Sequence, residues 1–154
     1  MPALPSSHQP GSMPRLPNPA TLVASRYGAI RMAVICLAVL VMVRTMLFWR
    51  GYGAVRANMP LVREPAGQSH FHARRLARHI ERIGRVARMS CLVQALALQY
   101  LLARSGHACT IRIGVRETKP GRFTAHAWVT CGDVVVLGHR YTPLQSFTPL
   151  TELA

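Results

Sequence analysis

Hydrophobic positions fall into four patterns along the chain, and each predicts a different element. The first is a continuous apolar run, "AIRMAVICLAVLVMVRTMLFW" (29–49), uninterrupted from Met32 to Val43 and bounded by Arg31 and Arg44. That core is shorter than the roughly 20 residues a spanning helix needs, although snorkelling arginines could stretch it. It therefore predicts a helix that is buried or lies on a membrane surface, with a true span as the alternative. A signal peptide is disfavoured by the long proline-rich lead before the run and the lack of a small-residue cleavage site after it. Arginines on both sides leave its orientation open. "RGYG" (50–53) is expected to end the helix, because Gly51 and Gly53 tolerate left-handed geometry.

The second pattern has helical period. In "FHARRLARHIERIGRVAR" (71–88), Leu76, Ile80, Ile83 and Ala87 form one stripe while Arg74, Arg78, Arg82 and Arg85 trace another face. A third, apolar helix follows from Cys91 to about Arg104, with Ser90 as its N-cap and Gly106 as its stop. The period then changes to two. "CTIRIGVRE" (109–117) and "FTAHAWVT" (123–130) alternate, "VVVLG" (134–138) is a short apolar run, and "TKPG" (118–121) and "CGD" (131–133) read as hairpin turns. Helices first and an antiparallel meander afterwards make an α+β protein.

Composition adds three constraints. Six prolines among the first 20 residues predict a disordered tail, taken as 1–22, followed by a hydrophobic helical lead-in over 23–58 and a domain over 70–154. Nineteen Lys plus Arg against five Asp plus Glu give a formal charge of +14, which suits acidic peptides, nucleic acid or anionic lipid. The few aromatics show no interleaved stacking pattern, so no specific nucleic-acid partner is expected. Cys36, Cys91, Cys109 and Cys131 lack C-x-x-C spacing, which predicts reduced thiols and a cytoplasmic protein. His70-Phe71-His72 with His79 has no nearby carboxylates or well-spaced cysteines, so neither a metal site nor a cofactor is expected.

Candidate chemistry centres on Cys91. As the first residue after an N-cap, it places its sulfur beside unsatisfied backbone N–H groups and the positive end of the helix dipole, which favour the thiolate. A thiolate nucleophile gains from a base that moves its proton and later protonates the leaving group. His126 is the candidate, mid-strand between the small Ala125 and Ala127, with Trp128 on the same face. The plain alternative is a core cysteine and a core histidine. Cysteine opening a helix with histidine on a later antiparallel strand is the chain order of papain-like and transglutaminase-like sites.

The segments "CLVQALALQYLLARSGHACTIRIGV", "GRFTAHAWVTCGDVVVLG" and "YTPL" resemble the lasso-peptide biosynthesis B2 proteins, leader peptidases of the microcin-maturation type in the transglutaminase-like superfamily. The resemblance covers about residues 75–150, and "VRTMLFWRGYGAVR" is similar to that family's helical lead-in. It implies that 70–154 is a transglutaminase-like, papain-like cysteine protease fold with Cys91 as nucleophile and His126 as general base. The implied activity is removal of the leader from a ribosomally made precursor before macrolactam closure. The implied partners are the precursor peptide, a separate leader-binding protein and an asparagine-synthetase-like cyclase, with membrane-surface contact through 29–49 as a further candidate.

One position departs from the family. Its third site residue is an Asp near the end of the return strand, where this chain reads Leu137-Gly138-His139. A three-residue loop (131–133) would pair Thr130 with Val134 and His126 with Gly138. The sole aspartate, Asp133, then lies about 13 Å of strand from His126, too far to orient it. A backbone carbonyl, a water or a side chain from 139–154 could serve instead. The alternative is that loss of the Asp leaves a weak or inactive module that binds an acidic peptide, nucleic acid or anionic membrane through its basic helix.

Overall fold

The computed structural model describes residues 19–60, 62, 70–138 and 144–153. Most of the expected tail lies outside them, but a helix already begins at Pro19, within the span 1–22. Proline is tolerated at a helix start, where its missing N–H costs no hydrogen bond. Three helices come first: α1 (Pro19–Ala57), α2 (His70–Val86) and α3 (Cys91–Arg104). Four strands follow: β1 (Thr110–Lys119), β2 (Arg122–Cys131), β3 (Val134–Leu137) and β4 (Thr148–Leu153). The sheet is antiparallel with order β3-β2-β1-β4.

The apolar run forms α1, and Gly51 ends its first helical stretch as expected, at a kink that joins it to a second stretch. Its φ of 76 interrupts the helical geometry, and the helix then resumes to Ala57. Cys36, Leu40 and Val43 are fully buried on the inner side of α1, in one cluster with Leu76 and Ile80 of α2 and Leu96, Leu98 and Leu102 of α3. The stripe expected on α2 is buried at Leu76 and Ile80 and half-buried at Ile83, whereas Ala87 is exposed beyond the helix end. Helix α3 runs as expected from Cys91 to Arg104. The Ser90 hydroxyl accepts the Val93 N–H at 3.4 Å. At the other end Gly106 (φ 74) and His107 donate to the Ala103 and Leu102 carbonyls, a Schellman stop.

The β1–β2 hairpin pairs Ile111 with Val129 and Ile113 with Ala127, and these side chains join the helical core. The register expected for β3 is corrected. Cys131 pairs with Val134, so the loop is the two residues Gly132-Asp133, and Thr130 pairs with Val135. Gly132 has positive φ, as a tight two-residue hairpin requires. A bulge then shifts the ladder so that Val129 faces Leu137. Strand β4 lies at the far edge, beside β1. Its Pro149 and short apolar content gave no alternating signal.

The cysteine reading is also corrected, because Cys109 and Cys131 form a disulfide. They sit one step beyond the Thr110–Thr130 pair, directly opposite each other across the hairpin, with Cα atoms 4.3 Å apart. Their separation of 22 residues carries no motif, and only strand register brings them together. The cytoplasmic placement rested on four free thiols and loses that support, since structural disulfides belong to oxidising surroundings. The bond closes a loop large enough to be worth about 3 kcal/mol in the chain-entropy treatment. Non-reducing peptide mapping should recover a Cys109–Cys131 peptide with Cys36 and Cys91 alkylatable after unfolding. Cys109→Ser with Cys131→Ser should lower the melting temperature without altering the far-UV spectrum.

Candidate active site

The start of α3 and the middle of β2 meet at a cleft of about 400 Å³. Cys91 and His126, the two predicted site residues, are both in its wall, together with Glu81, Arg88, Gln94 and Gly138. Two local features put Cys91 there. Helix α2 stops in a Schellman turn: Arg88 adopts left-handed φ of 49, and Arg88 and Met89 donate to the Arg85 and Gly84 carbonyls. The chain reverses within three residues, and Ser90 caps the next helix so that Cys91 is its first residue. Gln94 then locks the corner. Its amide donates to the Met89 carbonyl at 2.9 Å, and its side chain lies so close to Gly84 that an added Cβ there would be 2.5 Å away.

The Cys91 sulfur is half-buried and hydrogen-bonded to the His126 ring. That bond is the largest influence on the thiol and pulls its pKa down; burial opposes it, and the Ala127 and Leu92 backbone N–H groups add to the lowering. The Ala127 donor is available because the β2–β3 ladder stops at the Val129–Leu137 pair and leaves the edge of β2 open there. His126 shows the mirror image. The bond to Cys91 raises its pKa first, burial works against this, and the Gly138 carbonyl raises it further. Both shifts favour thiolate with imidazolium over thiol with imidazole.

The residue that orients His126 is Gly138, through its backbone. Nε2 of the ring donates to the Gly138 carbonyl at 3.0 Å, which leaves Nδ1 for the sulfur. Of the three possibilities in the sequence, a backbone carbonyl is present at the ring among the described residues. Asp133 is exposed in the β2–β3 turn and is not among the ring's partners. Trp128 and Phe147 flank the ring, with centroids 6.4 and 5.6 Å away.

Sequence reasoning missed Glu81 and Phe147. The Gly138 N–H donates to the Glu81 carboxylate at 3.4 Å, so α2 holds from one side the residue that holds His126 from the other. The available signal was its rarity, since Glu81 is the only acidic residue between Glu64 and Glu117. Among the described residues no three His, Cys, Asp or Glu side chains converge as a metal-binding group.

The chain belongs to the transglutaminase-like superfamily, whose domain model matches residues 34–152. The match begins inside α1, so the part of that helix from residue 34 onward is in the matched region along with the site. No curated protein and no solved structure matches the chain significantly. Many members of the superfamily use a cysteine in hydrolysis or acyl transfer, and the geometry around Cys91 is suited to that chemistry.

Iodoacetamide should modify Cys91 in the native protein at pH values where an ordinary thiol near 8.5 is mostly protonated, and lose it only as pH falls through the lowered Cys91 pKa. Cys36, buried and pushed up to about 11, should stay unmodified. His126→Ala removes the main lowering influence, so alkylation at neutral pH should slow by about tenfold or more. A carboxylate cannot simply be restored at 138. Gly138 has φ of 94, and a Cβ there would lie 2.7 Å from the Trp128 Cβ. Gly138→Asp should therefore destabilise the fold by about 1–3 kcal/mol in denaturant titrations and disturb His126.

Proposed function

We propose that the protein is a cysteine-type leader peptidase of the lasso-peptide B2 kind, which cleaves a ribosomally made precursor before macrolactam closure. The observation that carries this reading is that Cys91, at a helix start, and His126, held by the Gly138 carbonyl, stand in the wall of one cleft, each the leading influence on the other's pKa. A nucleophile at a helix start with its base on a neighbouring strand is also the papain-like arrangement.

The chemistry follows from the atoms present. The Cys91 thiolate adds to the scissile carbonyl carbon, forming a C–S bond and an oxyanion. The Cys91 backbone N–H, one of the unpaired donors of the first turn of α3, is a candidate donor to that oxyanion. Collapse breaks the C–N bond as Nδ1 of His126 passes its proton to the departing amine. Water then gives a proton to Nδ1 and adds to the thioester, releasing the leader as a carboxylic acid and restoring the thiolate. The freed amine of the core peptide is the group that macrolactam closure consumes, which suits delivery by a leader-binding protein and hand-over to an asparagine-synthetase-like cyclase.

The exposed arginines of α2, among them Arg74, Arg78 and Arg82, suit an acidic leader. They also favour a second reading, a weak or inactive module that binds an acidic partner through this helix, in keeping with the missing family carboxylate. Incubating the neighbouring precursor and leader-binding protein with wild type should give leader and core by mass spectrometry. Cys91→Ala and His126→Ala should each reduce the rate by about 10³-fold or more, because the two residues act as a unit. Equal cleavage by wild type and Cys91→Ala would sink the peptidase reading, whereas tight binding without cleavage by wild type selects the second.

A further inference from the structure

From Met32 to Val43 helix α1 is apolar all the way round, and the core uses only one side of it. Cys36, Leu40 and Val43 face inward, while Val34, Leu37, Val41, Phe48 and Trp49 on the other side are exposed, Phe48 and Trp49 by 80% and 77%. A helix on the surface of a water-soluble domain normally turns polar residues outward. An exposed face that carries this many large apolar side chains marks an interaction site.

The charge around the face is of one sign. Arg31 shares a hollow with Arg75 and His72 of α2 beside the exposed Ile35. At the other end, Arg44 shares a second hollow with Phe48 and Trp49. Helix α1 contains no acidic residue, and the first in the chain is Glu64. Aromatic side chains stand at both ends of the face, Tyr27 at one and Phe48 with Trp49 at the other, as in helices that settle at the level of lipid headgroups.

We propose that the outer face of α1 docks on an anionic phospholipid bilayer with the helix parallel to the membrane surface. By length and composition α1 is able to cross a membrane. The core argues for the parallel arrangement. A crossing would either strip Cys36, Leu40 and Val43 from α2 and α3 or carry α2 into hydrocarbon with the exposed Arg74, Arg75, Arg78 and Arg82. Lying flat buries the apolar face, keeps the core and brings Arg31 and Arg44 to the headgroups. This inference is independent of the peptidase reading.

Trp49 supplies the test, because the only other tryptophan, Trp128, is 5% exposed. Full-length protein is mixed with vesicles of phosphatidylcholine alone or with about 30% phosphatidylglycerol, and binding is read by flotation and tryptophan emission. The expected result is flotation with the anionic vesicles, weakened severalfold between about 0.1 and 0.5 M salt, with a blue shift. Spin labels near the headgroup should quench Trp49 more than labels at the chain ends. Val41→Gln with Phe48→Gln changes only exposed positions and should weaken partitioning by about tenfold or more. Failure to bind anionic vesicles, or binding unchanged in this variant when folded, overturns the proposal. Stronger quenching by chain-end labels in wild type overturns it in favour of a span. A lipid-free dimer that shields Trp49 overturns it in favour of a second copy of the chain.

Discussion

The first turn of α3 is fixed against the open edge of β2, and much of the site follows from that contact. If β3 were longer, its ladder would cover the Ala127 N–H and close the approach to Cys91; it stops at Leu137, and the donor turns to the sulfur instead. The sheet therefore ends beside the candidate site. The same economy places His126 one residue before Ala127, so a single stretch of backbone positions both the candidate base and a backbone donor to the Cys91 sulfur. Burial alone would push the Cys91 thiol up, as it does for Cys36 in the core. Three hydrogen bonds reverse that tendency, and the imidazole contributes most.

Where the resemblance leads one to expect a carboxylate, a peptide carbonyl holds the ring. A neutral carbonyl fixes the tautomer as firmly as a carboxylate does, because only Nε2–H can face it. It gives less electrostatic support to the imidazolium. In this site that support comes mainly from the thiolate itself, which is the leading cause of the raised His126 pKa. Glu81 adds a charge one hydrogen bond further out, on the Gly138 N–H. Trp128 closes the alternative: it occupies the space a side chain at 138 would need, so glycine and the carbonyl solution belong together.

How much of this was legible depends on whether the information was local. Ser90 as cap, Cys91 as first helical residue and Gly106 as stop are short-range chemistry, and the structure reproduces all three. The alternation of 109–117 and 123–130 gave β1 and β2, since side-chain period is a property of the strand alone. Register is not local. One residue too many in the β2–β3 loop and an unseen bulge misplaced the pairing, and the Cys109–Cys131 bond depended on register as well. Strand β4 forms because β1 offers a free edge, not because its own residues alternate. Glu81 was hidden among arginines, where its one acidic side chain looked like part of a solvated face.

The residues from Arg88 to Ser90 join the two surfaces of this protein. On one side Arg88 and Met89 line the cleft beside Cys91. On the other, Ser90 borders the hollow that holds Arg44, Phe48 and Trp49, and Arg44 donates to the Met89 sulfur at 3.7 Å. The cap of the helix that presents Cys91 is thus also part of the floor beneath the apolar end of α1. Phe48 and Trp49 thus border the same turn that sets the sulfur against His126. Gln94 holds this connector in place by binding the Met89 carbonyl while packed against Gly84. A family match that begins at residue 34 accords with this packing, because the part of α1 that packs the core shares one apolar cluster with the helix that carries the cysteine.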